Sequence, residues 1–240
     1  MTATVSVAST RERVLAALDR VIDPELDEPI TTLRFVSSCD VSPQGDVSVG
    51  LRLPTPQCAP NFAFLMAADA RRAVRTVPEV QDVTVTLEDH YTGDEINQAL
   101  QRGDGFTGAF PGETDDDQLD SLRELFQRKA LTARQSRICQ RLLDAGAAPE
   151  DVVALRLCDL PHGVDARRCR ELRSELGLAA DPGSPAFLLA DGTVLAVDQL
   201  PRWLRMGRLV ATSLETNGGI CRSLLQWRHN LAPEPEEVGG

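Results

Sequence analysis

Six cysteines and three histidines supply the chain's nucleophiles and soft metal ligands, and one cysteine stands apart by its setting. Cys58 lies in LRLPTPQCAPNFAFLMAADARRAV, residues 51–74, where a strand-like run ends in a loop and a helix-like run begins at once. A thiol just ahead of a helix faces unpaired N–H groups and the positive end of the helix dipole. Both favour thiolate, which is the nucleophile and the metal ligand. Pro54, Pro56 and Pro60 stiffen the loop, so the sulfur is expected to be held in place. The competing reading is a small buried apolar residue, the usual fate of a free cysteine. The tetrapeptide DPEL places Asp23 and Glu25 in a second candidate position. Carboxylates brought beside a thiolate would either complete a metal site or raise the thiol's pKa; alternatively Asp-Pro simply stops a helix and starts a turn. His90, after Asp89, is a ligand or a proton carrier on one reading and a surface histidine leading into a capped helix on the other. Cys39 falls on an apolar strand face and is expected in the core. Cys139, Cys158 and Cys169 sit in arginine-flanked helical segments, and Cys221 follows Gly-Gly. Their spacing matches no known ligand pattern, so structural and ligand roles both stay open for these four.

The chain has no C-x-x-C pair, no H-E-x-x-H, no G-x-S-x-G and no G-x-x-x-x-G-K-[ST], which leaves zinc-protease, serine-hydrolase and P-loop chemistry without support. Its 240 residues carry 25 basic and 36 acidic side chains, a net charge of −11. That balance disfavours nucleic acid and anionic membrane as main partners. No apolar run approaches the ~20 residues of a membrane span. The first ten residues have no basic segment before an apolar core, so no signal peptide is expected. A cytoplasmic protein with reduced thiols follows.

The elements that must position these residues follow from periodicity. Ser9 and Thr10 precede RERVLAALDRVI, whose apolar residues have helical spacing behind a plausible cap. DPELDEP breaks that helix. ITTLRFVSSCDV and VSVGLRL alternate around the turn SPQGD and read as a hairpin. A helix is expected from Ala59 or Pro60, and QDVTVTLED is a clean strand. The first ~90 residues therefore read α-β-β-α-β, a short sheet with helices on one face. Thr92 and Glu95 have capping-box spacing for a further helix. The glycine-rich RGDGFTGAFPGE is the expected boundary. Beyond it come a long helix over residues 114–145, two shorter ones, a hairpin turning at Asp191-Gly192, and two helical segments over 198–214 and 218–229. The fold class is α+β: an α/β domain over 1–105, a helix-rich C-terminal region with a β-hairpin over 106–230, and a disordered acidic tail over 231–240.

The order of DPEL, hairpin, PTPQC, helix and VPEVQDVTVTL resembles the iron–sulfur cluster assembly family that includes SufT and PaaD, the metal–sulfur cluster biosynthetic proteins. The resemblance covers about residues 9–100. It implies that the family's reactive cysteine corresponds to Cys58, its acidic motif to Asp23 and Glu25, and the threonine of its cysteine loop to Thr55. It further implies a role in maturing metalloenzymes through partner proteins, with iron or an iron–sulfur cluster as transient cargo. A dedicated non-heme iron monooxygenase is the kind of client some members serve. The chain departs from the family pattern at three places: Thr32-Leu33-Arg34 stands for Asp-Leu-Gly, Cys58-Ala59-Pro60 for Cys-Pro, and Pro54 for the loop's first threonine.

Three functions remain in view. A maturation factor would act through Cys58. An adaptor would bind its client with the thiol incidental. A cysteine enzyme would use Cys58 as nucleophile and His90 as base. A single cysteine holds a cluster poorly, since clusters usually take about four thiolates. A carrier would therefore need a carboxylate, a client ligand, or a homodimer that brings two Cys58 sulfurs together.

Overall fold

A computed structural model describes residues 7–232, which fall into two compact units. The first comprises residues 1–120 together with 217–240, and the second residues 121–216. The boundary expected at 105/106 lies inside the first unit. The expected acidic tail falls almost wholly on residues 233–240, outside the described residues.

The first unit opens with α1 (Val7–Leu18). Ser9 and Thr10, expected to cap it, lie within it. The helix stops four residues earlier than its apolar pattern suggested, because Ile22 is drawn into a short antiparallel pairing. Strand β1 (Ile22–Asp23) pairs with β2 (Glu28–Pro29), so DPEL forms the loop of a miniature hairpin. Asp27 closes that loop at φ 53 with its N–H on the Asp23 carbonyl (2.9 Å). Then β3 (Val36–Val41) runs antiparallel to β4 (Asp46–Arg52), with a bulge between Val36 and Ser38. The crossover helix α2 (Pro60–Arg75) leads to β5 (Asp82–Glu88), which pairs parallel to β4. The sheet order is β3-β4-β5. On β5, Val83, Val85 and Leu87 are buried while their neighbours are exposed, so one face is covered and the other meets solvent. Helix α1 packs on α2 and β3, and α2 and α3 (Gly93–Arg102) pack on β5. Cys39 is buried in this core, where burial raises its thiol's pKa. A single turn, α4 (Phe106–Ala109), follows α3.

The second unit is built from α5 (Asp120–Asp144), α6 (Pro149–Ala154), α7 (Val164–Glu175) and the first half of α8 (Leu200–His229). Leu131, Ile138, Leu157, Leu172, Phe187 and Trp203 make its core. The hairpin expected around Asp191-Gly192 is reduced to one bridge, Leu188 to Val194, with Gly192 at φ 89 in the turn. Arg173 is fully buried. It donates to the carbonyls of Ala179, Pro185 and Ala186 and to Gln135 Oε1, tying this irregular segment to α5. Cys139 and Cys169 belong to the apolar cluster, and burial pushes Cys139 up to about 11. Cys158 is exposed.

The two helical segments expected near the C-terminus are one helix. α8 runs unbroken through Asn217-Gly218-Gly219. Glycine weakens a helix interior by about 1 kcal/mol but does not forbid it, and the part beyond residue 217 is held by packing within the first unit.

Candidate functional site

Four segments of the first unit bear on the site: the PTPQC loop, the chain after β5, the end of α8 and, through α8, the DPEL loop. The loop itself is a turn: the Cys58 N–H reaches the Thr55 carbonyl at 3.3 Å, and Thr55 Oγ1 lies 3.6 Å from Cys58 Sγ. Cys58 is half-buried, two residues before α2. The helix terminus offers it less than the sequence suggested. Pro60 has no N–H, and those of Phe62 and Ala63 are taken by the Ala59 carbonyl and by Asn61 Oδ1. Proline at the first helical position organises the turn at the expense of a donor.

The segment after β5 braces the loop from a second side. His90 Nε2 donates to the Cys58 carbonyl at 2.8 Å. Its Nδ1 accepts from the Thr92 N–H at 3.2 Å and lies 3.1 Å from Thr92 Oγ1. These contacts fix the tautomer with the proton on Nε2. Both ring nitrogens are thereby engaged with groups other than the Cys58 sulfur, so His90 holds the loop and is not aimed at the thiol as a base. The Thr92 side chain makes no cap to α3, because it turns back to His90; the expected capping box is absent. The Tyr91 N–H adds a bond to the Pro56 carbonyl at 3.1 Å.

The third side is the end of α8, whose arginines the sequence reading did not single out. Arg228 Nη1 donates to the carbonyls of Leu53 (3.2 Å) and Pro54 (3.1 Å), and its other terminal nitrogen pairs with Asp89. One guanidinium thus bridges the start of the cysteine loop and the end of β5, a use its rigid fork suits. Upstream on the helix, Arg222 Nη1 pairs with Glu28 Oε2 at 2.7 Å. Helical periodicity was the available signal: Arg222 and Arg228 flank Leu225, which is 1% exposed.

The DPEL loop is the fourth segment. Asp23 Oδ1 accepts the N–H groups of Glu25 (2.8 Å) and Leu26 (2.9 Å), an Asx turn that shapes the loop. Asp23 is 6% exposed. Burial raises its carboxyl from 3.8 to about 6, with Glu25 and Glu28 adding to the rise and the two backbone bonds opposing it. Cys221 of α8 lies within electrostatic reach of Asp23, Cys58 and Glu25. Its thiol is pushed up to about 11, chiefly by burial and then by those three groups. Of the residues singled out from sequence, Cys58, Thr55 and His90 are thus in direct contact, and Asp23 and Glu25 share a neighbour with Cys58. Cys139, Cys158 and Cys169 belong to the second unit. Among the described residues, no three of His, Cys, Asp and Glu stand together as a metal group. No helix among them is long and apolar enough to cross a membrane.

Arg34 marks a departure from the family pattern. It takes φ 60, the left-handed conformation that a glycine at this point of the family's Asp-Leu-Gly would adopt freely. Its Nη1 donates to the Ala232 carbonyl at 2.6 Å, near the end of the described chain.

Comparison with known proteins places this geometry. The family described as "Iron-sulfur cluster assembly protein" matches residues 11–87. The chain is 35% identical over 83 residues to an iron–sulfur cluster carrier protein of Mycobacterium leprae, covering 35% of this chain and 21% of the carrier. It spans only about a fifth of that relative's length. It is 34% identical over 92 residues to an uncharacterised protein of Methanocaldococcus jannaschii, 38% of this chain and 95% of the relative. An Fe–S protein maturation auxiliary factor of Bacillus subtilis is 29% identical over 77 residues, 32% of this chain and 74% of that factor. No solved structure matches. The family match over residues 11–87 includes DPEL and PTPQC, and the chain belongs to the iron–sulfur cluster assembly protein family.

Proposed function

We propose that this protein is a cytoplasmic maturation factor that assists the insertion of iron or an iron–sulfur cluster into a client metalloenzyme, without catalysing a turnover of its own. The observation that carries the reading is Cys58: a half-buried thiol on a loop held by His90 on one side and Arg228 on the other. Such a thiol is accessible to cargo yet fixed in place, and a thiolate is the natural ligand for iron in clusters. Thr55 steadies the sulfur, and Asp23 and Glu25 of the DPEL loop share Cys221 with Cys58 as an electrostatic neighbour. The chain provides a partial ligand set and takes the remaining ligands from its client, from the assembly machinery or from a second copy in a homodimer. A non-heme iron monooxygenase is the client type in view.

The test is anaerobic iron reconstitution of the wild type and Cys58→Ala, read by visible absorption and iron per chain. Iron that binds the wild type and is lost in the variant, with unchanged circular dichroism, is the expected result. Binding by neither protein refutes the carrier role. The alternative is then an adaptor that acts on its client by contact alone.

A further inference from the structure

Taking the protein as a factor that acts on a client at Cys58, we infer that the outer face of the end of α8, together with Tyr91, is the surface on which a basic amphipathic helix of that client docks. The inference rests on where the first unit leaves apolar side chains in water. Among the described residues, its exposed large apolar side chains are Tyr91, Ile220, Leu224 and Trp227. Three of the four stand on α8 at four- and three-residue spacing, so they form a single stripe. The other side of the same turns carries Leu225, which is 1% exposed, and the two arginines that fasten the helix to Glu28 and to the carbonyls of Leu53 and Pro54. The stripe therefore faces away from the first unit's core. Trp227 is 80% exposed. A ring so placed forgoes the burial that aromatic side chains usually gain, and Trp and Tyr are the types that dominate binding energy at interfaces.

The surface is tied to the cysteine loop at two points. Arg228, next to Trp227, holds the Pro54 carbonyl at 3.1 Å, and the N–H of Tyr91 holds the Pro56 carbonyl at 3.1 Å. A partner seated there is anchored to the same loop that presents Cys58. Charge and size select the partner. Glu88, Asp89, Asp94 and Glu95 flank Tyr91, and all four are exposed. None of the exposed residues of α8 between Asn217 and Trp227 is charged, and Arg222 and Arg228 are already paired with Glu28 and Asp89. The surface thus offers apolar contact edged by acid. A second copy of the chain would bring the same carboxylates to both sides of the contact, which is unfavourable. Four side chains also fall short of the ~800 Å² per partner of a stable interface. A helix with an apolar stripe flanked by lysine or arginine meets both conditions. Its stripe packs against the ridge of α8, its cations meet the carboxylates, and the small contact suits a client that must leave again.

The experiment uses the full chain and two synthetic helical peptides with the same leucine stripe, one flanked by lysines and one by glutamates. Trp203 is 7% exposed and Trp227 80%, so the red-shifted, quenchable emission reports Trp227. The lysine peptide is expected to shift that emission to the blue and to shield it from acrylamide, and the glutamate peptide to leave it unchanged. Ile220→Ser and Leu224→Ser change exposed positions and should each weaken binding of the lysine peptide roughly ten-fold. Binding of both peptides alike, or binding unchanged in both serine variants, overturns the docking surface. Iron loading of the same wild-type chain is measured without peptide. Iron bound by a chain that ignores the lysine peptide overturns the docking surface and leaves the carrier role standing. Peptide bound by a chain that takes no iron, with the expected loss in the serine variants, supports the docking surface and overturns the carrier role alone.

Discussion

Replacing Asp23 by asparagine should make the protein's stability less dependent on pH, and the size of the effect follows from one buried carboxyl. Asp23 is raised to about 6 in the folded chain, mainly by burial, against an ordinary 3.8. Below 3.8 the carboxyl is neutral in both folded and unfolded chains and contributes no pH dependence. Between 3.8 and 6 the folded chain holds the proton that the unfolded chain has released, so stability falls as pH rises. Above 6 the folded state carries a buried charge at full cost, about 3 kcal/mol at 1.36 kcal/mol per pH unit. Asparagine keeps an Oδ1 acceptor for the Glu25 and Leu26 N–H groups and removes the charge. Any cost of the amide itself applies at both ends of the range and cancels in the difference. The assay is urea unfolding of wild type and Asp23→Asn at pH 4 and pH 8, fitted with two transitions because the chain has two compact units. Relative to wild type, the variant's first-unit transition should gain about 2.5 kcal/mol on going from pH 4 to pH 8, since at pH 4 the unfolded carboxyl is already partly ionised. An equal wild-type-to-variant difference at the two pH values would refute the claim that the carboxylate is held against its preference.

Other perturbations separate the parts of the site. Arg34→Gly relieves a non-glycine residue at φ 60 and should stabilise the first unit by about 1 kcal/mol, read as a rise in its thermal midpoint. Arg228→Lys keeps the charge but loses the fork that holds the Leu53 and Pro54 carbonyls. Losing about 1–2 kcal/mol of bracing should speed exchange of the Tyr91 amide roughly five- to thirty-fold, and unchanged exchange would show that His90 holds the loop alone. His90→Phe removes the donor to the Cys58 carbonyl and should destabilise the first unit by about 1–2 kcal/mol in chemical unfolding. Arg173→Met leaves the Pro185 and Ala186 carbonyls without their donor and should cost the second unit about 3 kcal/mol or more, seen as loss of one of the two unfolding transitions.

How much of this could be read from sequence depended on the range of the interactions. The sheet was legible because β5 alternates without fault, and α2 because Pro60 opens it and its apolar face is regular. Cys58 was legible as a presented thiol because its loop is written in five consecutive residues. The end of α1 was misread because Val21 and Ile22 extend its apolar spacing, while a two-residue β pairing with Glu28 and Pro29 overrides it. Such a pairing has too few residues to leave a periodic trace. The role of His90 was open for a similar reason: its two bonds, to residues 58 and 92, decide between base and brace, and only one is local. Arg222 and Arg228 were missed as parts of the site because their partners lie more than a hundred residues away. Gly218-Gly219 also made one helix look like two.

The incompleteness of the ligand set is what a delivery role requires. A chain that closed four thiolates around its cargo would hold it with the free energy of a structural site, on the order of 10 kcal/mol or more. Release at that depth would be slow beyond use, since each 1.4 kcal/mol is a factor of ten in the equilibrium constant. On the proposed carrier reading, a single thiol at Cys58 leaves open positions at which a recipient's ligands can bind before the donor lets go, so transfer would proceed one bond at a time. On the same reading, Arg228 and His90 keep the loop in one geometry, so that ordering it adds no further entropic cost to binding. Arg228→Lys should then weaken cobalt(II) affinity while leaving the sulfur-to-metal absorption per bound ion unchanged. A loss of absorption per ion would mean that the arginine sets which ligands bind, and that account would fail.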